Sequence, residues 1–346
     1  MAMPDETARL RHADYLIWAV IAAVALIVGA AGTVGPFHID LPSYLRVAAA
    51  CILMVAIAGF YSRFRPDPKL ASALTGTAQL IGFTAVAAPL SYIAATAGFP
   101  LQDAMLARWD ESLGFDWIGL TKFVAEHPLL DRVLHYAYSS FVFQTIAVML
   151  VLGFSNQLIR LRVFIAAFIA TSLATVMMSA VVPATGPWLF YGVDSTMTQG
   201  LIPVSSTSWP VFLGLRDSTH MVFDGLNSEG IITFPSLHAG FAVLFTFAVW
   251  RTHPIRWLAV ALNIAMLIAT PINGSHYLVD IIAGLIIPVV GWIASARLIE
   301  KKGVHHTEAN LAKTTAPSII PDAVTARDYA GEALPQPDTR QPLKAT

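Results

Sequence analysis

Eight stretches of mostly apolar residues, each near the length of a membrane span, constrain this chain more than any other feature. A helix rising 1.5 Å per residue needs roughly 20 residues to cross ~30 Å of hydrocarbon. The stretches cover residues 15–35, 44–61, 74–97, 129–152, 163–182, 236–250, 255–270 and 276–296, the sixth and seventh being the shortest. The first is too long for a signal peptide, and seven others follow it. The expected fold is therefore all-α, a polytopic transmembrane bundle of about eight spans.

Composition agrees. Of 346 residues 56% are hydrophobic and only 12% charged, against ~45–50% and ~25% in a soluble protein. That excludes a disordered chain, a basic nucleic-acid binder and an ordinary cytosolic enzyme. A net charge of −1 gives no global field to recruit an acidic partner. Cys51, the one cysteine, rules out an intrachain disulfide and a thiolate metal cluster.

Lysine and arginine placement tests the count of spans. With the N-terminus inside, Arg9, Arg11, Arg63, Arg65, Lys69, Arg160, Arg162, Arg251, Arg256, Arg297, Lys301 and Lys302 fall on the cytoplasmic side. Arg46, Arg108, Lys122, Arg132 and Arg216 fall opposite. Every loop obeys the alternation, so both ends are expected in the cytoplasm.

Two long loops then face outward. In residues 98–128, Leu101, Met105, Trp109 and Leu113 recur at helical spacing, with Asp103, Asp110 and Glu111 between them. This reads either as a helix lying in the membrane interface or as a packed cap over the bundle. The second loop, residues 183–234, is long for an inter-helix connection, as functional loops are. The Ala-, Thr- and Pro-rich tail after Lys302 lacks apolar periodicity and is expected to be disordered. No internal repeat supports a transporter built from two related halves.

Ionisable groups inside spans are expensive and mark functional candidates. His238 opens the sixth stretch, and His276 and Asp280 open the eighth. By the topology above all three sit at outer helix ends, near one depth. On a helix His276 and Asp280 would share a face one turn apart, so the carboxylate can hold one ring nitrogen and leave the other as a lone-pair donor. A second histidine can supply the leaving group's proton. Helix starts favour anions, and Ser236 adds a hydroxyl, so the set points to a phosphate more readily than to a carbonyl. A zinc set of His238, His276 and Asp280 is the rival. His135, inside the fourth stretch, reads as a hydrogen-bonded core residue.

At these residues the chain resembles the type 2 phosphatidic acid phosphatase superfamily. The family's second motif, Pro-Ser-Gly-His, is matched by Pro235-Ser236-Leu237-His238 except at glycine. In its third motif His276 and Asp280 match, while Ala269 and Thr270 stand where serine and arginine belong. The first motif is absent. Phe234-Pro235-Ser236-Leu237-His238-Ala239, the later His276-Tyr277 and Asp280, Gly186-Pro187-Trp188 and Leu215-Arg216-Asp217 resemble the branch that holds inositol phosphorylceramide synthases and bacterial relatives.

The resemblance implies a phosphatase-like core over residues 71–298, with residues 1–70 and 299–346 outside it. It implies that His276 attacks phosphorus, Asp280 holds its ring and His238 protonates the leaving alcohol. Ser236, Arg216 and Gly186 are the expected phosphate-binding residues, with Lys122 in reserve for Arg216 as the cation. The implied partner is a lipid phosphate in the bilayer at the outer face, with no cofactor, metal or nucleic acid. A proton-coupled lipid transporter or flippase is the alternative of another class.

Overall fold

The computed structural model describes residues 4–314 except 195, 196 and 199. In chain order the elements are α1 (Pro4–Val34), β1 (His38–Ile39), α2 (Leu41–Arg63), α3 (Pro68–Ala95), α4 (Asp103–Ser112), α5 (Trp117–Ala125), α6 (Pro128–Ser139), α7 (Phe141–Phe154), α8 (Leu158–Val181), α9 (Pro187–Phe190), a 3-10 turn (Val204–Ser208), α10 (Trp209–Arg216), β2 (Val222–Phe223), α11 (Leu237–Val249), α12 (Ile255–Asn273) and α13 (Leu278–Thr314). The chain divides into two compact units, Met1–Thr307 and Glu308–Thr346. All that follows concerns the first; of the second, the described residues are the last turns of α13. Of the tail expected to be disordered after Lys302, residues 303–314 are instead helical, as the end of α13, and the rest from 315 onward lies outside the described residues.

This is an all-α polytopic membrane bundle. Among the described residues six helices are long and apolar enough to cross a membrane: α1, α2, α3, α8, α12 and α13. The fourth expected span is α6 and α7, joined with a 48° bend. The break has a local cause. The Ser140 hydroxyl donates to the Ala137 carbonyl at 2.6 Å and accepts from the Gln144 amide at 3.0 Å, the kind of side-chain insertion that bends helices. The sixth expected span, α11, is only 13 residues, or about 20 Å.

The core lies where α3, α7, α8, α11 and α12 meet, around Phe83, Leu152, Phe164, Phe168, Phe241 and Met266. Phe168 stacks on Phe241 with centroids 4.2 Å apart. Arg162, counted above as a cytoplasmic charge, is 2% exposed and ion-paired to Asp14 of α1 at 2.6 Å.

The loop at residues 98–128 folds as α4 and α5, and the apolar stripe expected along α4 is its outward face. The inward face of α4 is Asp103, Leu106, Ala107 and Asp110, while Leu101, Trp109 and Leu113 are exposed. Trp117 of α5 is buried and donates its indole N–H to the Pro271 carbonyl at 3.0 Å. His135 is a further correction: it lies on an exposed face of α6 rather than in the core.

Candidate active site

The segment Gly274–Tyr277 joins α12 to α13, between two spans. Its His276 is 3% exposed, with Nδ1 3.3 Å from Asp280 Oδ2. The pair forms as expected, but not along a helix face. His276 precedes α13, and Asp280 reaches back from the first turn, accepting the Tyr277 N–H at 2.9 Å with the same oxygen. Burial pushes the His276 imidazole down from the usual 6.5 to about 4, against a hydrogen bond to the Thr233 backbone that pulls upward.

The helix start expected to hold an anion is already filled. Asp110 of α4 accepts the Leu278 N–H at 2.7 Å and the Val279 N–H at 3.0 Å. The protein's own carboxylates thus occupy the positive end of α13. Desolvation raises the Asp110 carboxyl above its ordinary range, and these two N–H bonds oppose it.

His238 comes from α11. Ser236 caps that helix, its hydroxyl accepting the Ala239 N–H, and its own N–H donates to the Asp280 carbonyl at 3.0 Å. The backbones of α11 and α13 touch through glycines: a Cβ on Gly284 would collide with the Ser236 carbonyl oxygen, and one on Gly240 would stand 3.3 Å from the Gly284 oxygen. Close approach of these two backbones is what carries His238 to His276. Both imidazoles line one cavity of about 100 Å³, together with Tyr138, Thr185, Ser208 and Trp209, and they lie within electrostatic range of each other.

The aromatic pair flanking the α6–α7 break grips His238. Tyr138 stacks on its ring with centroids 4.0 Å apart and 15° between planes, and Phe141 lies 5.1 Å away.

A second acid of α4 braces the other side. Asp103 accepts the N–H groups of Thr185 at 3.0 Å and Gly186 at 2.9 Å and the Tyr277 hydroxyl at 3.0 Å. Gly186 has φ +91°, and a Cβ there would stand 2.5 Å from the Ser275 carbonyl oxygen. The Ser275 hydroxyl in turn accepts the Trp188 N–H at 3.1 Å.

The structure therefore brings His238, His276 and Asp280 together and assigns other work to the expected phosphate ligands. Ser236 is 1% exposed and serves as the α11 cap. Gly186 gives its amide to Asp103 and its missing side chain to close packing on Ser275. Arg216 ends α10 and donates to the Phe99 carbonyl at 3.0 Å; neither it nor Lys122 lines the cavity. Thr270, at the motif arginine's position, donates its hydroxyl to the Met266 carbonyl at 2.7 Å. Among the described residues no group of three or more His, Cys, Asp or Glu is placed to hold a metal ion.

In the sequence Asp103 and Asp110 stand only as polar positions between the apolar ones of their loop, and Tyr138 as one more aromatic in a span. The seven-residue separation of the two acids, two helical turns with Leu106 between, was the available signal that they share an inward face.

Paired histidines, one braced by a carboxylate, in the cavity of a multi-pass helical bundle define the class. A family model described as the PAP2 superfamily matches residues 104–294, more than half of the chain, and the protein belongs to that superfamily. Its core runs from α4 into α13 and includes His238, His276, Asp280, Asp110 and Tyr138. Comparison with curated proteins finds no match, and comparison with solved structures finds none.

Proposed function

We propose that this protein is an integral-membrane lipid phosphatase or phosphotransferase that works through a phosphohistidine. The observation that carries the reading is the pair of imidazoles lining one cavity, with Asp280 on Nδ1 of His276. That bond keeps the Nδ1 proton in place, so the other ring nitrogen carries the lone pair. It attacks phosphorus, the bond from phosphorus to the leaving alcohol's oxygen breaks, and protonated His238 gives its proton to that oxygen. In the second half, neutral His238 takes a proton from water or an acceptor alcohol. The resulting oxygen attacks phosphorus, and the P–N bond returns its electrons to His276.

The loop charges support a site on the extracytoplasmic side of the membrane. The sequence from Phe234 to Ala239 and the His276-Tyr277 pair support a relationship to the inositol phosphorylceramide synthase branch, where the acceptor is an alcohol. The test is phosphate or headgroup release from short-chain lipid phosphates in detergent by wild type and by His276→Ala. A loss of about a hundredfold or more is expected on removing a nucleophile. Undiminished turnover in the variant would reject the assignment.

A further inference from the structure

The phosphoryl group in this reading is anionic, yet among the described residues no lysine or arginine lines the cavity. The motif position that holds arginine in the family is Thr270, whose hydroxyl is spent on its own helix. Protonated His238 is committed to the leaving oxygen, so another group must donate to the non-bridging oxygens.

One side chain meets the geometric requirements. Tyr138 is 5% exposed and lines the cavity. Its ring is stacked on His238 at 4.0 Å. Its hydroxyl lies 2.9 Å from the point where a Cβ on Gly274 would stand, and His276 Cδ2 lies 2.6 Å from that same point. Tyr138 therefore touches the surroundings of both histidines at once, with its ring on one and its hydroxyl beside the other. Among the described residues no protein group forms a hydrogen bond with this hydroxyl. A buried phenol normally finds a partner, and an unmet donor facing a cavity is a donor awaiting a ligand.

We propose that Tyr138 is a catalytic residue of this site, its hydroxyl donating to a non-bridging phosphoryl oxygen in place of the family's arginine. The role deepens the phosphohistidine reading and rests on it. Any side chain at Gly274 would fill the space between the hydroxyl and the His276 ring, besides meeting the Thr270 carbonyl oxygen at 2.8 Å.

The probe is orthovanadate, which adopts the five-coordinate geometry of phosphoryl transfer and so reports transition-state contacts. Binding to the purified full-length protein in detergent is measured by calorimetry for wild type, Tyr138→Phe and His276→Ala. Tyr138→Phe keeps the ring and its stack and removes only an oxygen that no protein group uses, so its thermal midpoint should match wild type. Its vanadate affinity should fall about 10- to 100-fold, the worth of a hydrogen bond to a charged group. Wild-type affinity in Tyr138→Phe, with binding still abolished in His276→Ala, would overturn the role of Tyr138 alone. Binding unaffected by His276→Ala would overturn the histidine reading beneath it.

Discussion

The Asp110 carboxylate accepts the Leu278 N–H at 2.7 Å, so a helix of the cap closes the start of a membrane span two residues beyond His276. A second bond, from Val279 at 3.0 Å, makes the same carboxylate the partner of two amides. Asp110→Ala orphans both, at a cost of about 1–3 kcal/mol for a buried amide left unpaired. Asp110→Asn keeps one acceptor oxygen and should cost less. Thermal unfolding in detergent should rank wild type above Asn above Ala. Turnover should follow the same order, because His276 is positioned by that helix start.

The pH dependence follows from burial. His276 must be neutral to attack, and desolvation lowers its imidazole from 6.5 to about 4. The neutral form therefore prevails above about 4, and activity is lost as pH falls through that value rather than through the ordinary histidine range. In a kcat/KM profile the limb that reports His276 should be centred near pH 4, below the ordinary histidine range. An acid limb centred near 6.5 would show that the ring is solvated in the working enzyme.

The fold was legible because spans must satisfy every backbone group internally, which writes helices into long apolar runs. Each of the eight expected stretches contains a helix. The bend at Ser140 was not legible, since serine is common in unbroken helices and the break depends on where its hydroxyl bonds. For the site, His238, His276 and Asp280 stood out as ionisable residues among apolar ones. Asp103 and Asp110 did not, because an acid in a mixed loop looks solvated until the amides of Thr185, Gly186, Leu278 and Val279 are seen to converge on it. Tyr138 was hidden for the opposite reason: an aromatic in an apolar run reads as packing.

Helix contact through Gly284 makes a sharper test of how the histidines meet. A Cβ there would collide with the Ser236 carbonyl oxygen and stand 3.1 Å from the Ala239 side chain. Backbone cannot give way cheaply, so Gly284→Ala should push α11 from α13, separate His238 from His276 and reduce turnover at least tenfold. Gly29 of α1 is the control, with nothing within 4 Å of its added Cβ. Gly29→Ala should leave turnover unchanged and, in a helix interior, raise stability by roughly 0.5–1 kcal/mol. Equal activities in the two variants would mean that the α11–α13 contact does not set the site.

The N-terminal helix is held by charge as well as by packing. Arg162 Nε lies 2.6 Å from Asp14 Oδ1, that oxygen accepts the Gln79 amide at 2.8 Å, and the guanidinium also donates to the Ser72 carbonyl at 3.2 Å. Three helices, α1, α3 and α8, thus share one polar knot. Asp14→Ala would leave a 2%-exposed arginine without its counter-charge, and removing one partner of such a pair costs about 3 kcal/mol or more. Replacing both, as Asp14→Leu with Arg162→Met, removes the stranded charge and should recover most of that loss. Denaturation in detergent of the two single variants and the double separates these outcomes. A double variant no more stable than Asp14→Ala would mean that the ion pair itself, rather than the stranded charge, supplies the lost stability.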